Sequence, residues 1–311
     1  MSTGFFICGI DGGGTSSKCA LSDGFEIIAS SKRGSSNVYA VGFESALKNV
    51  MDSINDCLSS HSLHDEHLNA IHLSSAGFGD ESTRRRFSDE LTKAYPNARV
   101  GVSDDAYPLL WSSGLDGSGI CAIAGTGSIA FGINREGRKV RSGGYGWRLG
   151  DEGSAYHIAY EAIRHAVRAS EALERTTVLS ADVLSYFGFE NISEAIYYVN
   201  DNSVTKSMIA DFAPQVMARA YEDADPVAVS IMEHEIDEFS KYIVSVMERM
   251  DGSYDRKIVL SGGLIDRCTE YRTSLISKLC FLCPGWEIYP AEEMAAVKGS
   301  LKLALNMISK H

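Results

Sequence analysis

Ile10-Asp11-Gly12-Gly13-Gly14-Thr15, near the amino end, and Ile123-Ala124-Gly125-Thr126-Gly127-Ser128, further along, decide the reading of the fold. Each is an apolar strand-like run, a glycine-rich turn and a second β-rich run. The segments are 5–10, 12–14 and 17–22 in the first case and 120–124, 125–128 and 129–133 in the second. A unit written twice in one chain implies duplicated halves facing each other. A cleft between such halves is the default ligand site.

Working outward, Asp23-Gly24 is a hairpin signal that predicts a third strand over 25–30, and Glu136-Gly137 marks another hairpin in the second half. Phe43, Leu47, Val50, Ile54 and Leu58 recur at helical spacing and predict a helix over 42–58. A strand over 68–74, a polar helix over 82–94 and a short strand over 100–103 lead into Asp104-Asp105. The Gly-rich stretch 114–119 is the best linker, giving an amino-terminal domain 1–117 and a carboxy-terminal domain 118–311. The second domain carries a helical insertion as far as Met250 and a strand over 258–260 ending in Ser261-Gly262-Gly263. Helices over 264–279 and 291–308 follow, the last expected to return to the first domain.

The 311 residues suit two domains, and 44% hydrophobic with 23% charged residues is the composition of a soluble globular chain. A net charge of −12 argues against general binding to nucleic acid or anionic membranes. It leaves room for a phosphate ligand held by backbone amides and Mg²⁺. No apolar run is long enough to span a membrane, and no basic-then-apolar leader is visible. Seven cysteines, an odd number mostly within apolar runs, predict reduced thiols and a cytoplasmic location.

Three glycines between two strands let backbone approach a ligand closely and can aim N–H groups at an anion. Gly12, Gly13, Gly14 and Thr15 are therefore phosphate-loop candidates, with an ordinary hairpin as the bland alternative. Gly125, Thr126, Gly127 and Ser128 follow the same logic and lack the lysine of a P-loop. Two such loops on opposite halves read as a two-sided clamp for a polyphosphate. Asp11, ending the first strand, is a candidate Mg²⁺ residue acting through water. Asp105 is the candidate base, because phosphoryl transfer to an alcohol needs a carboxylate to take its proton. For both Asp104 and Asp105 the plain alternative is a helix cap.

The segment from Gly143 to Ser154 packs glycines, Tyr145, Trp147, Arg148, Asp151 and Glu152 into a dozen residues, a density that suits sugar recognition. The plain alternative is a loop whose Asp151 caps a helix over 152–167. Ser35-Ser36-Asn37 reads as a sugar contact or a turn. Ser261-Gly262-Gly263 reads as a nucleotide contact or a strand-to-helix turn. Cys280 and Cys283 have metal spacing without a second pair, and His61, His64 and His67 sit in a polar link. Neither is read as a metal site.

Together, Gly9 to Thr15, Ser36-Asn37, Ala76-Gly77, Asp104-Asp105-Ala106, Ala124 to Ser128, Gly143 to Gly146, Leu149 to Ser154, Leu260 to Gly263 and Ala295 to Ser300 resemble one family in the right order. It is the N-acetylglucosamine kinase group of the BadF/BadG-type ATPases, within the actin/hexokinase/heat-shock-protein superfamily. The resemblance implies an α/β fold of two ribonuclease-H-like, actin-like ATPase domains, the second with a helical insertion. It implies ATP and Mg²⁺, a small-molecule sugar substrate, a homodimer, and phosphorylation of N-acetylglucosamine at its 6-hydroxyl. Asp105 matches the base. Asn37, Asp105, Gly144, Tyr145 and Asp151 match sugar positions, Gly262 and Gly263 the adenosine loop, and residues 209–214 a segment near the adenine. Asp104 stands where the family often has Asn, Ile129 where some members have a sugar-contacting Asn, and Tyr145 where Trp is common. These departures bear on the sugar, which includes glucosamine and other hexoses as alternatives, and not on ATP use. A rival of another class is an activator ATPase whose iron–sulfur cluster would use a cysteine such as Cys121. A non-catalytic sugar sensor is expected to carry a DNA-binding segment ahead of the first loop, where this chain has only a few residues.

Overall fold

The protein is described from a computed structural model covering residues 5–112 and 114–309. The first stretch runs β1 (Phe6–Gly12), β2 (Ser17–Ser22), β3 (Ile27–Arg33), α1 (Val38–Val41), α2 (Phe43–Ser59), β4 (Leu68–Ser75), α3 (Glu81–Ala94) and β5 (Arg99–Asp104). Then come β6 (Gly119–Ala124), β7 (Ser128–Ile133), β8 (Lys139–Gly143), α4 (Ala155–Ser170), α5 (Leu179–Phe187), α6 (Glu194–Asn200), α7 (Lys206–Ala210), α8 (Ala213–Tyr221) and α9 (Pro226–Arg249). The chain closes with β9 (Lys257–Ser261), α10 (Gly263–Arg267), α11 (Thr269–Leu282), β10 (Glu287–Pro290) and α12 (Ala295–Ser309).

The chain divides into two compact units: residues 1–118 with 291–311, and residues 119–290. The first holds a sheet of order β3-β2-β1-β4-β5, and the second a sheet of order β10-β9-β6-β7-β8. In each, the glycine-rich hairpin joins two antiparallel strands, and the first of them pairs in parallel with a later strand. Both sheets therefore have one topology, which is the α/β fold with a duplicated half that the two motifs imply.

In the first unit, one face of the sheet is covered by the apolar stripe of α2 and by Phe87 and Leu91 of α3. Ile7, Ala20 and Ala70 on the opposite face meet Val297, Leu301 and Ala304 of α12. Strand β1 is buried on both faces, so it reads as a nearly continuous apolar run. In the second unit, the long helix α9 starts at Asp225, which accepts the Val227 and Ala228 N–H groups, and buries Ile236, Phe239, Ile243 and Val246.

Three expectations change. The helix predicted over 152–167 begins at Ala155, because Ser154 rather than Asp151 caps it, accepting the His157 N–H. The single helix predicted over 264–279 is two, since Cys268 takes an extended conformation between α10 and α11. The edge strand β10, which ends in Pro290, is an addition to the predicted set.

Candidate active site

In the first unit, β1 delivers Asp11 and Gly12 to the tip of the hairpin, where Gly13 N–H bonds Ser16 C=O at 2.9 Å. A Cβ on Gly12 would collide with Ser36 Oγ and lie 2.7 Å from Ser75 Oγ, which are themselves hydrogen-bonded at 2.7 Å. Ser35 Oγ donates to Gly13 C=O at 3.0 Å. The segment carrying Asn37 is thus tied to the glycine loop, whose Gly14 and Thr15 face solvent. Asn37 Oδ1 accepts the Tyr39 N–H at 2.9 Å, so that oxygen caps the short α1.

Asp104 and Asp105 follow β5. Asp104 Oδ1 accepts the Tyr107 N–H at 2.9 Å, at the start of the 3₁₀ turn Tyr107–Trp111, whose N-cap residue is Ala106. Asp105 is open to solvent, yet protein crowds its carboxyl. That burial, with the charges of Asp104 and Asp11 acting in the same direction, pushes it up to about 6. Asp11 is also raised, by burial, against the lowering pull of Lys18 across the hairpin. No cluster of three or more metal-binding side chains occurs among the described residues. A hard cation such as Mg²⁺ suits a site of few carboxylates completed by water and phosphate oxygens. Asp11 offers that kind of donor.

In the second unit, the hairpin from Gly125 to Ser128 is held from both sides. Gly125 C=O accepts the Ala155 N–H at 2.9 Å, and Ser128 Oγ donates to Glu152 C=O at 2.6 Å. Gly144 N–H donates to Ser128 C=O at 3.0 Å, placing the 143–154 segment along the loop. Asp151 is only 3% exposed and has a left-handed backbone, φ 72°. Its Oδ1 accepts the Ser128 N–H at 3.2 Å, and its Oδ2 lies 2.5 Å from Lys206 Nζ. Behind it, fully buried Glu235 accepts the Gly153 N–H at 2.6 Å and binds His157 Nδ1 at 2.6 Å. Burial works against a charged His157, but the bond and charge of Glu235 outweigh it and raise the imidazole.

Two cavities flank this region. One, of about 500 Å³, is lined by Gly125, Thr126, Ala210, Pro214, Gly263 and Arg267, among others. The second glycine loop, the 209–214 segment and the strand-to-helix turn, far apart in sequence, converge there. Gly262 stands next to it with φ 104°. The other cavity, of about 520 Å³, is lined by Trp147, Arg148, Tyr156, His157, Asn200 and Lys206, among others. Its aromatic from the 143–154 segment is Trp147. Tyr145 is exposed, with the Arg141 guanidinium over its ring. Lys206, Arg267 and Glu235 drew no attention in the sequence. The partners of Lys206 and Glu235 are distant in the chain, and Arg267 reaches the cavity only in the folded chain.

The sequence matches the BadF/BadG/BcrA/BcrD ATPase family over residues 8–278. The chain belongs to this ATPase family. An N-acetylmuramic acid/N-acetylglucosamine kinase of Clostridium acetobutylicum is 29% identical over 264 residues, covering 84% of this chain and 86% of that protein. Glucosamine kinase GspK of Vibrio cholerae is 24% identical over 300 residues, covering 96% and 95%. The solved structure of a candidate N-acetylglucosamine kinase from Porphyromonas gingivalis superposes with a TM-score of 0.73 at 19% identity, covering 98% and 100%. That likeness shows the fold. No helix among the described residues is long and apolar enough to cross a membrane.

Proposed function

We propose that this ATPase-family member is an ATP-dependent amino-sugar kinase, with N-acetylglucosamine as the favoured acceptor and glucosamine or another hexose as the alternative. The observation that carries the reading is the cavity beside Gly125 and Thr126, to which the 209–214 segment and Gly263 both contribute. A strip of small and apolar residues next to a glycine loop suits a nucleoside with its phosphates on backbone amides. The relatives' printed activities on amino sugars give the acceptor class.

In this reading Asp105 takes the proton of the sugar hydroxyl. Gly12 to Thr15 and Gly125 to Ser128 hold phosphate oxygens, and Gly262 and Gly263 face the adenosine. Asn37, Gly144 and Tyr145 orient the sugar, Asp151 acts there through its Ser128 and Lys206 partners, and Asp11 holds Mg²⁺ through water. When bound, Mg²⁺ supplies charge neutralisation on the phosphate oxygens. The carboxyl of Asp105, raised toward neutral pH, is a better base than an ordinary aspartate and is still ionised at pH 7. A homodimer in the cytoplasm completes the reading.

The test is Asp105→Asn in the full chain. It is expected to keep ATP affinity and to lose turnover by roughly 10²–10⁴-fold, the usual worth of general acid–base catalysis. Turnover near that of the wild type would remove Asp105 as the base. The rival iron–sulfur activator gains no support, because Cys121 is buried in β6 and the exposed cysteine is Cys280.

A further inference from the structure

The second glycine loop has no lysine of its own, nor does the first. The fold brings one to it from outside. Lys206 opens α7, with Thr205 capping that turn. Its ammonium lies 2.5 Å from Asp151 Oδ2, with the lysine side chain 25% exposed and that of Asp151 4%. A Cβ on Gly127 would run into the same ammonium and lie 2.9 Å from Asp151 Oδ1. The Lys206 ammonium and the Asp151 carboxylate thus lie directly beside the Gly127 backbone. Asp151, buried and held through the Ser128 N–H, keeps the cation at the tip of the loop.

Helix α7 also stands between the two cavities. Lys206 and Ile209 line the one that contains Trp147, and Ala210 lines the one that contains Gly125 and Thr126. Gly125 and Thr126 of the loop line the nucleotide-sized cavity, and Lys206, beside Gly127 of the same loop, lines the one that contains Trp147.

We propose that Lys206 is a catalytic residue that pairs with the terminal phosphate of the bound nucleoside triphosphate, at the end nearest the acceptor. This rests on the kinase reading above. Phosphoryl transfer spreads negative charge over the transferring oxygens, and a fixed cation stabilises that charge without reorganising. Asp151 positions the lysine, and the α7 backbone keeps it in place. The P⁠–O bond to the leaving diphosphate breaks, the bond to the sugar oxygen forms, and the sugar proton leaves to Asp105. Lys206 exchanges no proton in this step.

The experiment measures ATP and ADP dissociation constants by titration calorimetry without sugar, together with steady-state rates, for wild type, Lys206→Met and Lys206→Arg. Lys206→Met is expected to weaken ATP about tenfold more than ADP, the scale of one charge-assisted bond. It should lower kcat about 100-fold, as removal of one preorganised donor does, with KM for the sugar within about threefold. Lys206→Arg should restore part of the ATP-over-ADP preference. Equal weakening of ATP and ADP, or a kcat within about threefold of wild type, would overturn the assignment and leave Lys206 as a structural partner of Asp151. If the wild type phosphorylated no sugar while the ATP–ADP difference followed Lys206, the kinase reading and the catalytic role would fall, and only the pairing of Lys206 with the terminal phosphate would stand.

Discussion

At the scale of single residues, the account turns on Asp105. Its carboxyl lies above the ordinary 3.8, at about 6, through burial and the like charges of Asp104 and Asp11. A base must be ionised, so kcat/KM should fall about tenfold per pH unit below roughly pH 6, while the alkaline side of that limb stays flat. A profile flat down to pH 4.5 would contradict the shift. The same shift has a stability consequence of fixed sign. Between pH 3.8 and about 6 the native state binds more protons at this site than the unfolded chain, so ionising Asp105 subtracts stability as pH rises through that window. Because Asp105 is open to solvent, which screens the effect, Asp105→Asn is expected to melt only slightly above the wild type at pH 7.5 and to lose that advantage below about pH 4. Thermal melts at the two pH values check this, and an asparagine variant less stable at pH 7.5 would show that the site does not strain its carboxylate.

At the scale of elements, the 151–154 turn depends on α9. Glu235 is fully buried, accepts the Gly153 N–H and pairs with His157, while Tyr271 OH donates to Gly153 C=O at 2.7 Å. Glu235→Ala leaves the Gly153 N–H and the His157 ring nitrogen without their partner and should cost about 1–3 kcal/mol of unfolding free energy in denaturant titration. A cost under about 1 kcal/mol would mean that the turn holds itself. The glycine hairpins were legible in the sequence because turn chemistry and strand alternation are local. The break at Cys268 was not. Leu264, Ile265, Tyr271, Leu275 and Leu279 keep helical spacing across it, so periodicity reads straight through α10 and α11. Strand β10 was missed because four residues ending in proline carry little pattern. Asp151 stands out in the sequence as part of a dense segment, but its Lys206 partner arrives from a separate helix that no local signal links to it.

At the scale of the whole molecule, two sheets of one topology place a glycine hairpin at the equivalent position of each unit. The duplication was readable because both hairpins kept their glycines. The rest of the cavity lining was not, because Met217 and Arg267 reach it only through the tertiary fold. A ligand that binds only the native state stabilises it by about 2.7 kcal/mol at a hundredfold excess over its dissociation constant. Saturating ATP should raise the melting temperature by roughly 4 °C for a chain of this size, and GTP by less if the cavity selects adenine. The most direct measurement is ADP release from ATP in the presence of Mg²⁺, sugar by sugar, across N-acetylglucosamine, glucosamine, N-acetylmannosamine and glucose, with the phosphorylated product verified by mass. The account predicts rapid release that depends on an amino sugar, strongest with N-acetylglucosamine. ADP release indifferent to every sugar, with no phosphorylated sugar formed, would contradict it.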